Sequence, residues 1–182
     1  KIRVAAIQHN FPKPGHMETP ESQLERFGVL SQQTRIAADK GAELIVWPEL
    51  GLGFDPQVEH TEKFVNLARE TGAFLLVCYG LNDPRGWRNE AIMLSPEGNF
   101  LEVYGKNHPT SPGEPRIITS GAYPVYDTPS GKVATLICND MHWTNTSRIL
   151  AGSGGRLLTM TSREGRGFPR EQPPPPSPLA GD

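Results

Sequence analysis

Three short apolar runs separated by two stretches of helical periodicity fill the first 80 residues, and this alternation restricts the chain more than any other feature. Ile2 to Gln8 (IRVAAIQ), Glu43 to Trp47 (ELIVW) and Ala73 to Tyr79 (AFLLVCY) are compact enough to read as buried strands. Between the first two, Thr19-Pro20-Glu21 supplies an N-cap, a first-turn proline and an early acid; Leu24, Phe27, Leu30 and Ala37 then recur at helical spacing up to Gly41. A second helix, from Val58 to Arg69, ends near Gly72. Strand, helix, strand, helix, strand predicts an α/β layer.

The second half changes character. Glu90 to Ser95 and Phe100 to Tyr104 flank Pro96-Glu97-Gly98-Asn99 and read as a hairpin. Tyr123 to Asp127 and Lys132 to Ile137, joined by Thr128-Pro129-Ser130-Gly131, read as another. A helix from Trp143 to Ala151 and a strand from Arg156 to Thr161 complete the pattern, without an internal repeat. From Arg163 onward only Phe168 and Leu179 are large and apolar, and four prolines run from 173 to 176. Such a segment buries too little surface to offset its ordering entropy, so the expectation is a folded domain over 1–162 and a disordered Pro-rich tail over 163–182.

Charge and cysteine usage exclude several classes of function. A formal charge of -2, from 18 basic and 20 acidic residues without long runs of either sign, gives no footprint for nucleic acid or anionic lipid. No apolar run reaches membrane-spanning length, and no signal peptide opens the chain. The start at Lys1 raises the alternative of an extracytoplasmic domain cut from a membrane protein; otherwise a cytoplasmic location and a small-molecule partner are expected. Two cysteines, Cys78 and Cys138, are too few for a disulfide framework and are spaced for no metal motif, which leaves room for a working thiol. Neither a metal-ligand set nor a Gly-rich phosphate loop is present, and no cofactor is implied.

Three stretches end predicted strands with residues capable of chemistry. LIVWPELGLGF (44–54) places Glu49 just beyond a strand stopped by Pro48; YGKNHPTSPGE (104–114) carries Lys106 and closes on Glu114; VATLICNDMHW (133–143) delivers Cys138 to a turn. Taken singly, these are also ordinary loop acids, a surface lysine and a small buried hydrophobe. Cys78, inside LLVCYG, reads as core.

Taken together and in this order, the three stretches resemble the nitrilase, or carbon-nitrogen hydrolase, superfamily. The resemblance rests on Trp47-Pro48-Glu49, on Tyr104, Lys106, His108, Pro112, Gly113 and Glu114, and on Ile137-Cys138-Asn139-Asp140. It extends over the first strand, the GAELIVWPE block, the hairpin NEAIMLSPEGNF, Arg148, and Gly154 to Leu158. It implies an α-β-β-α sandwich, here incomplete on its C-terminal side. It also implies a thioester formed on Cys138, with Glu49 as base and Lys106, helped by the backbone N–H of Asn139, stabilising the oxyanion. Glu114 would orient Lys106 and keep it charged.

A thiol of ordinary pKa, about 8.5, is mostly protonated at neutral pH and needs such a base. One oxyanion donor is worth roughly 3 kcal/mol in rate. His108 is expected as a hydrogen-bonding support behind these groups, and Phe54 and Trp143 as pocket walls, whereas Trp47 is expected in the core. The resemblance further implies an amide, nitrile or acyl substrate and a homo-oligomer. An N-acyltransferase of the apolipoprotein type uses the same Glu-Lys-Cys set and is the alternative activity; an inactive truncated fragment or interaction domain is the alternative of another class. The chain departs from the family where Trp143-Thr144-Asn145 replaces an aromatic-Pro-Glu segment and where Gly155-Arg156 replaces Ala-Asp.

Overall fold

The computed structural model describes residues 1–8, 19–110, 114, 118 and 121–162. The expected tail at 163–182, and Pro112 and Gly113 of the lysine loop, lie outside the described residues. In chain order the elements are β1 (Val4–Ala6), α1 (Pro20–Asp39), β2 (Leu44–Val46), α2 (Thr61–Thr71), β3 (Phe74–Asp83), β4 (Gly86–Leu94) and β5 (Phe100–Gly105). They are followed by β6 (Val125–Thr128), β7 (Gly131–Ile137), a 3-10 turn (Cys138–His142), α3 (Thr144–Gly152) and β8 (Leu157–Thr161).

The strands form two sheets. The first has the order β1-β2-β3-β4-β5, parallel from β1 to β3 and antiparallel from there on; the second has the order β6-β7-β8. One face of the first sheet packs Ile45, Trp47, Leu75, Val77 and Ile92 against Leu30 of α1 and Phe64 and Leu67 of α2. Its other face packs Leu44, Val46, Leu76, Ala91 and Met93 against Tyr126, Val133 and Ile137 of the second sheet. Beyond that sheet, Leu150 of α3 covers Ala134 and Leu136. The layers are therefore helix, sheet, sheet, helix, as expected.

Local chemistry accounts for the element ends. The Thr19 hydroxyl accepts from the Ser22 amide at 3.3 Å, the N-cap that precedes Pro20. α2 stops at Gly72, whose φ of +61° is a left-handed cap that glycine takes without steric cost. The expected second helix is shorter at its start. Asp55 to His60 forms a turn, with Val58 and Glu59 amides bonded to the Asp55 carbonyl, and Val58 stays in solvent.

The hairpin between β3 and β4 is longer than the apolar runs suggest, since Cα pairing continues from Tyr79–Glu90 to Asp83–Gly86. Its extension is polar and is held by the ladder and by an ionic network rather than by a hydrophobic face. Arg88 bonds Glu90 at 2.6 and 3.0 Å and Asp55 at 3.2 Å, and the Tyr79 hydroxyl donates to Glu90 at 2.7 Å.

Candidate active site

Glu49 follows β2 in a loop that leaves the sheet at Pro48 and bonds back to β3 through Leu52, whose amide reaches the Cys78 carbonyl at 3.2 Å. This loop lies against the sheet because position 80 of β3 is glycine. A Cβ there would come within 2.4 Å of Leu50 and 2.7 Å of Trp87. Leu50 itself has φ +53°, so the backbone beside the carboxylate turns sharply.

Lys106 continues from β5, with its amide bonded to the Asn89 carbonyl of β4 at 2.9 Å. Its ammonium is almost wholly buried and lies 3.0 Å from Glu49 Oε1 and 2.8 Å from Glu114 Oε2. Glu114 is fixed in turn by the Thr110 amide, which donates to it at 2.8 Å. The three charged groups of the expectation are thus in direct contact. Burial pulls the Lys106 pKa down, but the hydrogen bond to Glu114 and the Glu49 charge outweigh it and hold the ammonium above its ordinary value. For Glu114, burial pushes the other way and the Lys106 hydrogen bond and Thr110 amide prevail, so its carboxyl sits below the usual range.

Cys138 stands at the end of β7 where the chain enters the 3-10 turn, with φ +47°. That conformation costs a side-chain-bearing residue about 1–2 kcal/mol. Cys138 and Asn139 are partly exposed, and the first amides of a helical turn lack an intrahelical partner. The thiol lies close enough to Glu49 and Lys106 for both charges to act on it. Burial and then the Glu49 charge raise its pKa, against which Lys106 and Ser162 pull it down. A thiol kept protonated beside a buried carboxylate suits proton transfer within the pair.

Cys78, in contrast, is fully buried, donates to the Trp47 carbonyl at 3.5 Å and is pushed up to about 12, chiefly by burial. It belongs to the core, as its sequence context indicates.

The supporting residues divide differently. His108 lies beside the site with its Nδ1 3.0 Å from Asp140 Oδ1 and its ring stacked on Trp143 at 4.5 Å and 11°. The Asn139 side chain ties the same loop down by donating to the His108 and Pro109 carbonyls at 3.3 and 3.1 Å. Trp143 is half-exposed, and its ring lies on His108. Phe54 is 5% exposed and packs edge-on to Phe64 and His60, within the core beneath α2. Trp47 is also core, and its indole donates to Thr34 at 3.0 Å.

Two residues to which the sequence reading assigned no role of their own complete the arrangement. Asp140 is fully buried and accepts from the amides of Ile137, Asn107 and His108 at 3.2, 3.1 and 2.7 Å, and from the Tyr104 hydroxyl at 2.7 Å. One carboxylate thus joins the end of β5 to the cysteine turn after β7. Its only signal in the sequence is its place two residues after Cys138. Asn89, also fully buried, donates from Nδ2 to Glu49 Oε1 at 2.9 Å and to Glu114 Oε1 at 3.2 Å. A polar residue opening the apolar run EAIML was the available hint.

No group of three or more metal-ligating side chains occurs among the described residues, and no helix among them is long and apolar enough to cross a membrane.

Comparison with known proteins places this geometry in context. Formamidases of Bacillus thuringiensis (strain Al Hakam) and Bacillus cereus (strain AH820) are each 30% identical over 174 residues, covering 87% of this chain and 52% of theirs. The chain therefore spans about half the length of these curated relatives. Among solved structures, an amidase from Nesterenkonia sp. aligns with a TM-score of 0.73 at 21% identity, over 88% of this chain and 64% of its own. A variant of the amidase from Nesterenkonia sp. AN1, with the acetamide moiety of fluoroacetamide bound covalently at its active-site cysteine, aligns with a TM-score of 0.74 at 21% identity, over 88% and 64%. At that identity the likeness is one of fold. The sequence profile described as carbon-nitrogen hydrolase matches residues 3–174.

Proposed function

Because this chain belongs to the carbon-nitrogen hydrolase family, we propose that it hydrolyses the carbon-nitrogen bond of a small amide through a thioester on Cys138. The observation that carries the reading is the buried Glu49 carboxylate, held by Lys106 at 3.0 Å and by Asn89 at 2.9 Å, with Cys138 near enough for the Glu49 and Lys106 charges to act on its thiol. Formamidases among the relatives and the cysteine adduct of the amidase favour a small amide as substrate.

In the proposed sequence, Glu49 takes the Cys138 proton as Sγ bonds to the amide carbonyl carbon, and the carbonyl electron pair moves to oxygen. The resulting oxyanion lies against Lys106 and the backbone N–H of Asn139, donors fixed before reaction that need no reorganisation. Glu49 returns the proton to the amide nitrogen, the carbon-nitrogen bond breaks and the amine leaves. Water, deprotonated by Glu49, then attacks the thioester; the carbon-sulfur bond breaks and the thiol recovers its proton. Glu114 stays ionised throughout and shares the Lys106 charge.

Intact-mass measurement after exposure to formamide, acetamide and fluoroacetamide, with Cys138→Ala and Glu49→Gln alongside, tests the reading. An acyl or acetamide adduct confined to Cys138, with product release that needs Glu49, is the expected result. A folded chain that gives no adduct with any of them, or gives one that survives Cys138→Ala, would overturn it.

A further inference from the structure

The carboxylates of Glu49 and Glu114 meet on a single lysine, an arrangement that repulsion between like charges opposes. Asn89 is placed to relieve it. It pairs laterally with Lys106 across β4 and β5, so its side chain and the lysine rise from the same face of the sheet. One NH2 group spans the two carboxylates, at 2.9 Å from Glu49 Oε1 and 3.2 Å from Glu114 Oε1. The opposite end of the amide, Oδ1, is buried and has no hydrogen-bond partner among the described residues. A buried amide with an unmet acceptor is unfavourable for folding alone, so its donor end is what the site uses.

We propose that Asn89 is a positioning residue of this site, a neutral donor shared by Glu49 and Glu114 that lets both carboxylates meet on one lysine and so holds Glu49 in place as the base of Cys138. The inference rests on the reading of Glu49 as that base. A carboxylate at position 89 would add a third negative charge, and an alanine would remove the donor without adding charge. The charged groups around Asn89 are Glu49 from the loop after β2, Lys106 just after β5 and Glu114 from the following loop, and the Glu49 and Lys106 charges in turn act on Cys138 at the end of β7. Arg88, Glu90, Tyr79 and Asp55 form their own network from the other side of β4, where Glu90 shares its face with Ile92. They are not part of the cluster.

The test is the pH dependence of Cys138 alkylation by iodoacetamide, followed at the peptide level so that Cys78 is scored apart, in the unmodified chain, Asn89→Asp, Asn89→Ala and Glu49→Gln. This readout needs no turnover. Asn89→Asp is expected to move the acid limb up by about one pH unit or more, a roughly tenfold loss of rate at a fixed pH below it. Asn89→Ala should move it in the same direction by less. A role confined to packing would leave the limb of the near-isosteric Asn89→Asp in place, and an unmoved limb in both variants overturns the proposal. Should the aspartate variant not fold, the alanine variant decides. Glu49→Gln separates the two readings. If it moves the limb or lowers the rate while the Asn89 variants do neither, only the role of Asn89 fails. If it changes neither, Glu49 does not act on Cys138 and both readings fall.

Discussion

The two cysteines share a side-chain type and differ in everything that decides reactivity. Cys78 has no solvent contact and a pKa pushed up to about 12, so at pH 8 its thiolate fraction is on the order of one in ten thousand. Cys138 is half-open and sits beside a carboxylate and an ammonium that act on it in opposite directions. Peptide mapping after brief iodoacetamide treatment at pH 8 should therefore find Cys138 modified and Cys78 intact until denaturant is added. Cys78→Ala should retain most turnover. Glu49→Gln preserves the shape of the base and removes its proton affinity, and should lower kcat by about two to four orders of magnitude. At this scale the sequence was most legible. Glu49, Lys106 and Cys138 each follow a strand run and stand out as chemistry-bearing side chains at its end, and Glu114 closes the loop that Lys106 opens. Asn89 and Asp140 fell within matched stretches but were given no role, because what marks them is the set of partners that other strands bring to them.

Among the elements, the apolar runs and helical spacing located β1, α1, β2, β3 and β7, whereas the layer order followed from the family resemblance. β1, expected as a buried strand, is instead an edge strand of the first sheet with Val4 44% exposed. Periodicity fell short where polar contacts supply the ordering. The far end of the β3–β4 hairpin is held by Arg88, Glu90 and Asp55, and the segment before α2 by carbonyl-capped turns. Phe54 illustrates the same limit: an aromatic two residues beyond Leu52 reads equally as pocket wall or as core, and its packing against Phe64 is not displayed in the sequence.

Two substitutions test the element junctions. Thr34→Val leaves the buried Trp47 indole N–H without its acceptor and should destabilise the α1–sheet layer by about 1–3 kcal/mol in denaturant melts. Asp140→Ala strips the amides of Asn107, His108 and Ile137 of a common acceptor and should cost about 3 kcal/mol or more, with the cysteine turn loosened from β5.

For the whole molecule, the buried cluster links stability to pH in a definite window. Glu114 has a lowered pKa, so its contribution is complete above its unfolded value of about 4.3 and is lost as pH falls through the lower folded value. Lys106 has a raised pKa, so its contribution is complete below about 10.4 and is lost only as pH rises through the higher folded value. The melting temperature contributed by this pair should be flat between pH 6 and 9, by the same reference values, and should decline below about pH 4. Glu114→Gln should flatten that acid decline while lowering the plateau, which differential scanning calorimetry across pH would show.

The left-handed backbone at Cys138 sets durability against reactivity at one position. Glycine is the residue this φ would select on conformational grounds, and Cys138→Gly should melt higher than Cys138→Ala by about 1 kcal/mol of stability while sharing its chemical silence. Drift towards a more robust chain therefore runs, at this residue, directly away from a working one.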